Sequence, residues 1–145
     1  MAVGTDGGSS IAYATATDDS GNVYLAGSFH GTVNFGSSVL TSAGSDDFYV
    51  AKWSAVGDFM WAQRAGGLGH EHANAIAVRG NEVYVTGVFN SPSATFGTIV
   101  LTNADPNGIT NDSFIVKFTD AGTSSRFSWA QSLGAPAASL PMAWP

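Results

Sequence analysis

The chain has no cysteine and very few basic residues. Its 145 residues include 5 Lys plus Arg against 11 Asp plus Glu, which gives a formal net charge of −6. Without cysteine there is no disulfide framework, no thiolate nucleophile and no Cys-ligated zinc. A nucleic-acid-binding protein shows a clustered basic patch, and so few cations cannot build one. We therefore expect neither a nucleic acid nor an anionic membrane surface as a partner.

Long apolar segments are missing as well. No apolar run approaches the roughly 18 residues that a membrane span requires, so we expect no membrane span. Residues 1–6 have neither a basic start nor an apolar core, and this pattern is not that of a signal peptide. The alternatives are a cytoplasmic protein or a chain that begins after a signal was removed.

The residues that are abundant belong to strands and tight turns. Hydrophobic residues make up 44% of the chain and charged residues only 11%, which argues against disorder. Short runs rich in Val, Thr, Tyr, Phe and Trp alternate with Gly and Asn, which tolerate the positive φ of tight hairpins. No stretch has an apolar stripe at helical spacing. We expect an all-β fold with almost no helix.

The chain contains an internal repeat. Val23-Tyr24 matches Val83-Tyr84, and Trp61-Ala62-Gln63 matches Trp129-Ala130-Gln131. The offset between matched residues only grows along the chain, from 60 at Val23 to 68 at Trp61, as small loop insertions would produce. We divide the chain into a first unit at residues 1–69, a second at 70–134 and a Pro-rich tail at 135–145.

Each unit holds four strand-like runs joined by turn sequences. We predict strands at residues 12–17, 23–29, 48–53 and 59–64 of the first unit, and at 73–78, 82–89, 113–118 and 127–132 of the second. Four antiparallel strands at a period of about 60 residues are typical of a β-propeller blade. Ala12, Ala14 and Ala16 suit its crowded innermost strand. We expect the matched Trp61 and Trp129 to pack in the core.

One further pattern points to a family. Asp-x-Ser-Gly-Asn-Val-Tyr-x-x-Gly-x-Phe, then Phe-Gly, Leu-Thr-Ser-Ala-Gly, Asp-x-Phe-x-Val-Ala-Lys and Gly-x-x-x-Trp-Ala, resembles the bacterial β-propeller repeat often called the SBBP repeat. Residues 20–62 carry this pattern, and residues 75–131 carry a more divergent copy. The resemblance implies four-stranded propeller blades within large secreted or surface proteins, and hence an extracellular or cell-surface location. It implies no catalytic motif.

Two blades cannot close a propeller, which typically has four to eight. A chain of two blades would leave two apolar blade faces in water, and head-to-tail association of identical chains would bury both. We therefore predict a homo-oligomer, with a homotrimer of six blades favoured and a homotetramer of eight blades next. The alternative is a fragment of a larger propeller.

The triplet His70-Glu71-His72 is the most suggestive for a metal. Residues i and i+2 of a strand share a face, and two His with a carboxylate can ligate a metal ion. No clear third ligand lies nearby in the sequence. We therefore favour a polar loop between the two units and predict no metal or other cofactor.

A second candidate is a loop rich in side-chain oxygens. Asp105, Asn107 and Asp112 surround Gly108, a faint likeness to a calcium loop that lacks the closing Glu. A turn explains the same residues. Because this segment is longer than its counterpart in the first unit, it is a candidate ligand-binding loop. Trp144, which has no match in the repeat, is a further candidate for ligand binding.

The predicted function is a non-enzymatic, self-assembling scaffold or ligand-binding module, with a glycan or protein bound by its loops or central channel. One alternative is a purely structural repeat from a larger propeller. Another is a propeller lyase or hydrolase acting at the channel. The paired carboxylates Asp18-Asp19 and Asp46-Asp47 occupy turn and strand-start positions, so we assign no catalytic residue and predict no enzyme.

Overall fold

A computed structural model describes residues 4–5, 7–107 and 109–134. Within this part of the chain there are thirteen β-strands and no helix, which confirms the all-β prediction. The strands are β1 (Gly4–Thr5), β2 (Ser9–Thr17), β3 (Val23–His30), β4 (Thr32–Phe35), β5 (Ser38–Thr41), β6 (Asp47–Trp53), β7 (Phe59–Ala65), β8 (Glu71–Arg79), β9 (Glu82–Phe89), β10 (Ser93–Phe96), β11 (Ile99–Thr102), β12 (Asp112–Asp120) and β13 (Ser125–Leu133). No described segment is a helix with the length and hydropathy that a membrane crossing needs. The tail at 135–145, with Trp144, lies outside the described residues.

The eight longer strands form two antiparallel four-stranded sheets. Sheet I has the order β2-β3-β6-β7, and sheet II has the matching order β8-β9-β12-β13. Every pair of neighbours within a sheet is antiparallel, and the first pair of each sheet carries an irregularity at the same place, after Ala12 in β2 and after Ala73 in β8. The repeat in the sequence is therefore a repeat of one sheet design.

A short hairpin is inserted between the second and third strands of each sheet: β4–β5 in sheet I and β10–β11 in sheet II. Gly36 and Gly97 follow β4 and β10 with φ of 76° and 66°, a conformation that glycine adopts at little cost. A Cβ at either position would lie 2.7 Å from a ring atom of Phe59 or Phe127, respectively. Each hairpin is thus closed by a glycine and packed directly against an aromatic ring of its own sheet.

The two sheets stack face to face, with the β10–β11 hairpin contributing to the core between them. β8 packs against β2, β3 and β6. Phe48 of sheet I meets Phe96 of the hairpin with ring centroids 5.7 Å apart, and Phe96 meets Phe114 of sheet II at 5.0 Å. All three rings are buried, and each such burial contributes roughly 1.5–3 kcal/mol to stability.

A second, smaller core lies on the opposite face of sheet I. There the β4–β5 hairpin covers Phe29, Tyr49 and Trp53 with its own Val33 and Phe35. Burial raises the pKa of the Tyr49 hydroxyl to about 12. Each hairpin therefore covers the same face of its own sheet, and in sheet II that is the face turned toward sheet I.

The opposite face of sheet II is uncovered. This open face carries Tyr84, Ile115, Lys117, Trp129 and Leu133, of which Ile115 is 38% exposed, Trp129 37% and Leu133 77%. The matched Trp61 of sheet I is 5% exposed, as expected for a core residue. Trp129 differs because no neighbouring sheet covers it.

Candidate functional site

A carboxylate of sheet II holds the two sheets together. Asp120 ends β12 and accepts hydrogen bonds from Tyr24 Oη at 2.6 Å, from Lys52 Nζ at 2.6 Å and from Trp61 Nε1 at 3.1 Å. The side chains of Lys52 and Asp120 are only 5% and 6% exposed. This cluster is sealed and internally partnered, so it is built to join the sheets and offers no open position to a ligand.

The electrostatics of this cluster follow from its hydrogen bonds. Burial alone would raise the pKa of Asp120, but the bonds from Lys52, Tyr24, the backbone N–H of Gly122 and Trp61 outweigh burial and hold that pKa below its ordinary value. Burial first, and then the bond to Asp120, raise the pKa of the Tyr24 hydroxyl far above its ordinary value. Asp120 is therefore a carboxylate and Tyr24 a neutral donor at neutral pH.

The open face of sheet II repeats the same three donors. Tyr84, Lys117 and Trp129 occupy the positions of Tyr24, Lys52 and Trp61 in the repeat. Glu82, on the same sheet, takes the place of Asp120 by accepting from Lys117 Nζ at 2.7 Å and from Tyr84 Oη at 3.0 Å. These two bonds, first the one from Lys117, lower the pKa of Glu82.

A groove runs along this open face. Its volume is about 360 Å³, and its lining includes Thr86, Val88, Ile115, Gln131 and Leu133. The lining is apolar with a few amide and hydroxyl groups, and no acid–base pair lies in it. Its chemistry suits contact with another protein surface better than catalysis.

The structure brings a third potential ligand to His70 and His72. The backbone of Asp46 pairs with the start of β8, with Glu71 N donating to Asp46 O at 2.8 Å. His70 Nδ1 lies 2.7 Å from Asp46 Oδ2. One ligand atom from each of Asp46, His70 and His72 lies within 4.8 Å of the others.

Glu71 and His72 are the first two residues of β8, and His70 immediately precedes them, bridged to Asp46. The prediction of a polar loop at this triplet is therefore wrong: the segment is the start of a strand, and the backbone of Asp46 pairs with it. Glu71 points away from the two histidines into the protein, where Gly67 N donates to Oε2 at 3.0 Å and the Ser91 hydroxyl donates to Oε1. Burial, the largest effect, raises the pKa of Glu71, and the neighbouring charge of Asp47 adds to the rise.

The Asp105 oxygens and one Asp112 oxygen of the second candidate loop accept from its own backbone, while Asp112 Oδ1 has no partner among the described residues. Asp105 is buried and accepts from the backbone N–H groups of Asn107, Ile109 and Thr110, each at 3.1 Å. These bonds, first the one from Asn107, lower the pKa of Asp105. Asp112 Oδ2 accepts from Ala104 N at 2.7 Å. Asn107 is exposed at the loop surface. This geometry is that of a self-capped turn.

The paired carboxylates also serve local structure. Asp18 Oδ1 accepts from Ser20 N at 2.9 Å and from Asn22 N at 3.0 Å, which shapes the β2–β3 hairpin. Asp47 Oδ2 accepts from Ala43 N at 3.0 Å, the same arrangement that Asp112 makes with Ala104. Repetition of this bond in both sheets explains why each unit has an Asp as the first residue of its third long strand.

Comparisons with known proteins add no relative. No protein-family model matches the chain, and a search of curated proteins returns no match. The likeness to the SBBP repeat therefore stays a prediction, and the function has to be argued from the two surface features above: the open face and the histidine cluster.

Proposed function

We propose that this chain is a non-enzymatic, self-assembling module of the β-propeller type, whose two sheets are successive blades. One observation carries the proposal. The open face of sheet II carries the same residue types as the face of sheet I that is buried against sheet II.

The matched pairs are Tyr24 and Tyr84, Val50 and Ile115, Lys52 and Lys117, Trp61 and Trp129, and Gln63 and Gln131. Exposure differs sharply within these pairs. Val50 is fully buried whereas Ile115 is 38% exposed, and Trp61 is 5% exposed whereas Trp129 is 37% exposed. A face with the composition of a buried seam is the expected mark of an interaction site.

The charges on the open face favour a second copy of the chain as its occupant. In the seam between the sheets, Lys52 needs Asp120 from the neighbouring sheet. The residue of sheet I that matches Asp120 is Ala55, which carries no charge. If sheet I of another copy docks on the open face, that sheet offers no carboxylate to Lys117. Glu82 already supplies one from within sheet II, so an uncharged partner leaves no unpaired cation.

Head-to-tail docking of this kind is heterologous and closes when the rotation between chains completes a ring. We favour a homotrimer of six blades, with a homotetramer of eight blades next. A closed ring would present each loop several times around its axis, and such multivalency suits binding of a glycan or a protein. No acid–base pair lines the groove on the open face, so we propose a binding scaffold and no enzyme.

The test is the absolute mass in solution, by light scattering after size exclusion. We expect three times the chain mass of 14.9 kDa. Ile115→Glu places a charge in the centre of the open face and should give the single-chain mass. Leu68→Glu is the matched control, because Leu68 is also exposed but lies in the connection between the two sheets. It should leave the assembly intact.

Circular dichroism on both variants separates loss of assembly from loss of fold. A single-chain mass for the unmodified protein would refute self-assembly and favour a repeat from a larger propeller. An unchanged oligomer with Ile115→Glu would place the interface elsewhere.

A further inference from the structure

All three histidines of the chain lie around one carboxylate. His30 ends β3, His70 precedes β8, His72 is the second residue of β8, and Asp46 precedes β6. His70 Nδ1 is 2.7 Å from Asp46 Oδ2, and His30 Nδ1 is 4.0 Å from Asp46 Oδ1. Residues from three separate strand ends therefore meet at one point on the edge of the seam between the sheets.

The backbone holds the two closest histidines in place. Asp46 N donates to Gly69 O at 3.3 Å, and Glu71 N donates to Asp46 O at 2.8 Å. His70 N donates to Asn90 Oδ1 at 2.7 Å. As residues i and i+2 of an extended segment, His70 and His72 present parallel rings, 8° apart in plane with centroids separated by 6.4 Å. The strand therefore places both histidine rings on one face, side by side, next to Asp46.

One nitrogen in this cluster is left over. His72 Nδ1 is buried and has no hydrogen-bond partner among the described residues. A polar atom that is shielded from water and has no hydrogen-bond partner destabilises the folded protein. Binding of a metal ion by the His72 ring accounts for the orientation of that ring. The other members remain accessible, since the side chains of His30 and His70 are 59% and 50% exposed and that of Asp46 is 30% exposed.

The dimensions fit a transition metal. Tetrahedral zinc with bonds of about 2.0–2.1 Å places its ligand atoms about 3.3 Å apart. The three ligand atoms here lie within 4.8 Å of one another, so rotations of surface side chains by about 1–2 Å bring them to that spacing. Imidazole and carboxylate together suit Zn²⁺ and its neighbours, whereas Ca²⁺ and Mg²⁺ require oxygen ligands.

We propose that Asp46, His70 and His72 form a binding site for a divalent transition metal ion of the zinc type. His30, whose Nδ1 contacts the carbonyl oxygen of Ser45, lies beside this site. The ion ties the start of β6 to the start of β8, and so links sheet I to sheet II. The site lies within one chain and does not depend on the assembly proposed above.

The experiment is a titration of the metal-free, tag-free protein with ZnCl₂ by calorimetry, with Co²⁺ absorption as a second readout of ligand geometry. We expect one ion per chain with a dissociation constant on the order of micromolar. Asp46→Asn should weaken binding by about tenfold or more, and the double variant His70→Asn, His72→Asn should abolish it.

Asp58→Asn is the matched control, since Asp58 is an exposed carboxylate in the β6–β7 turn. It should bind zinc like the unmodified protein. Circular dichroism verifies that each variant is folded, and a rise in melting temperature with zinc that is absent in the double variant supports the site. Binding only at millimolar zinc, or equal binding by the double variant and the unmodified protein, would overturn the proposal.

Discussion

Removing the Asp120 carboxylate should destabilise the fold more than any surface substitution. Asp120→Ala leaves the ammonium of Lys52 in a site where its side chain is only 5% exposed. It also leaves Tyr24 Oη and Trp61 Nε1 without their acceptor. The perturbation therefore tests whether one carboxylate joins the two sheets.

The magnitude follows from the uncompensated charge. Breaking a buried ion pair by removing one partner costs about 3–5 kcal/mol, because the remaining charge stays desolvated. A domain of this length has a free energy of unfolding on the order of 7–20 kcal/mol. At about 2–4 °C per kcal/mol for a chain of this size, we expect the melting temperature to fall by roughly 10 °C.

The assay is urea unfolding monitored by tryptophan fluorescence and circular dichroism at one fixed protein concentration, because assembly makes apparent stability depend on concentration. Adding Lys52→Met to Asp120→Ala removes the stranded cation. We expect the double variant to regain about 1–2 kcal/mol relative to Asp120→Ala alone. It does not regain the full loss, since Tyr24 and Trp61 still lack an acceptor.

Glu82→Ala is the matched control on the open face. Glu82 makes the corresponding contacts with Lys117 and Tyr84, but in the dissociated single chain water replaces those contacts at the surface. The two Ala variants are therefore compared in the Ile115→Glu background, in which the open face is exposed. We expect a much smaller change than for Asp120→Ala. A loss below about 1 kcal/mol for Asp120→Ala, or a double variant less stable than the single one, would refute the assignment of Asp120 as the clamp between the sheets.

Two further predictions concern the buried Glu71 and the hairpin glycine Gly97. Burial, the largest effect, raises the folded-state pKa of Glu71 above its ordinary value of 4.5. Its stabilising contribution is therefore complete below pH 4.5 and is lost as the pH rises through the higher folded-state pKa. Glu71→Gln removes this titration. The difference between its free energy of unfolding and that of the unmodified protein should therefore grow between pH 4 and pH 7, by at most about 1.4 kcal/mol per pH unit. A constant difference in urea titrations would contradict the raised pKa of Glu71. Gly97→Ala should cost about 2 kcal/mol or more, because its φ is +66° and its Cβ would lie 2.7 Å from the Phe127 ring. Gly80→Ala, with φ of +60° and nothing within 4 Å of the added Cβ, should cost only about 1–2 kcal/mol, and equal melting temperatures for these two variants would exclude the ring contact as a cause.

The strands were predictable because their signal is local. Period-2 alternation and Gly-Asn turns predict the eight long strands to within a few residues, and the matched blocks predict that the two sheets share one design. The inserted hairpins were not predicted, although Phe35-Gly36 and Phe96-Gly97 are among the matched residues. Four-residue strands carry too little pattern of their own, and packing of Phe35 and Phe96 against neighbouring rings decides them.

The candidate metal site was likewise predictable only in part. That His70 and His72 share a face follows from strand geometry alone. The third ligand, Asp46, is 24 residues away, and only the pairing of its backbone with the start of β8 brings it there. The sequence offered no signal for the inward direction of Glu71, since alternation within a triplet does not say which side is buried.

The sequence by itself determined the repeat: two sets of four strands, joined by turns in matching order, each carrying a Tyr, a Lys and a Trp at matched places. Only the tertiary structure decided what those residues do. Lys52 and Lys117 occupy the same position in their respective sheets. Lys52 is nevertheless buried against Asp120 of the other sheet, whereas Lys117 lies on an open face against Glu82 of its own sheet. The difference arises because burial depends on which surface stacks next, and a local pattern carries no information about its neighbour.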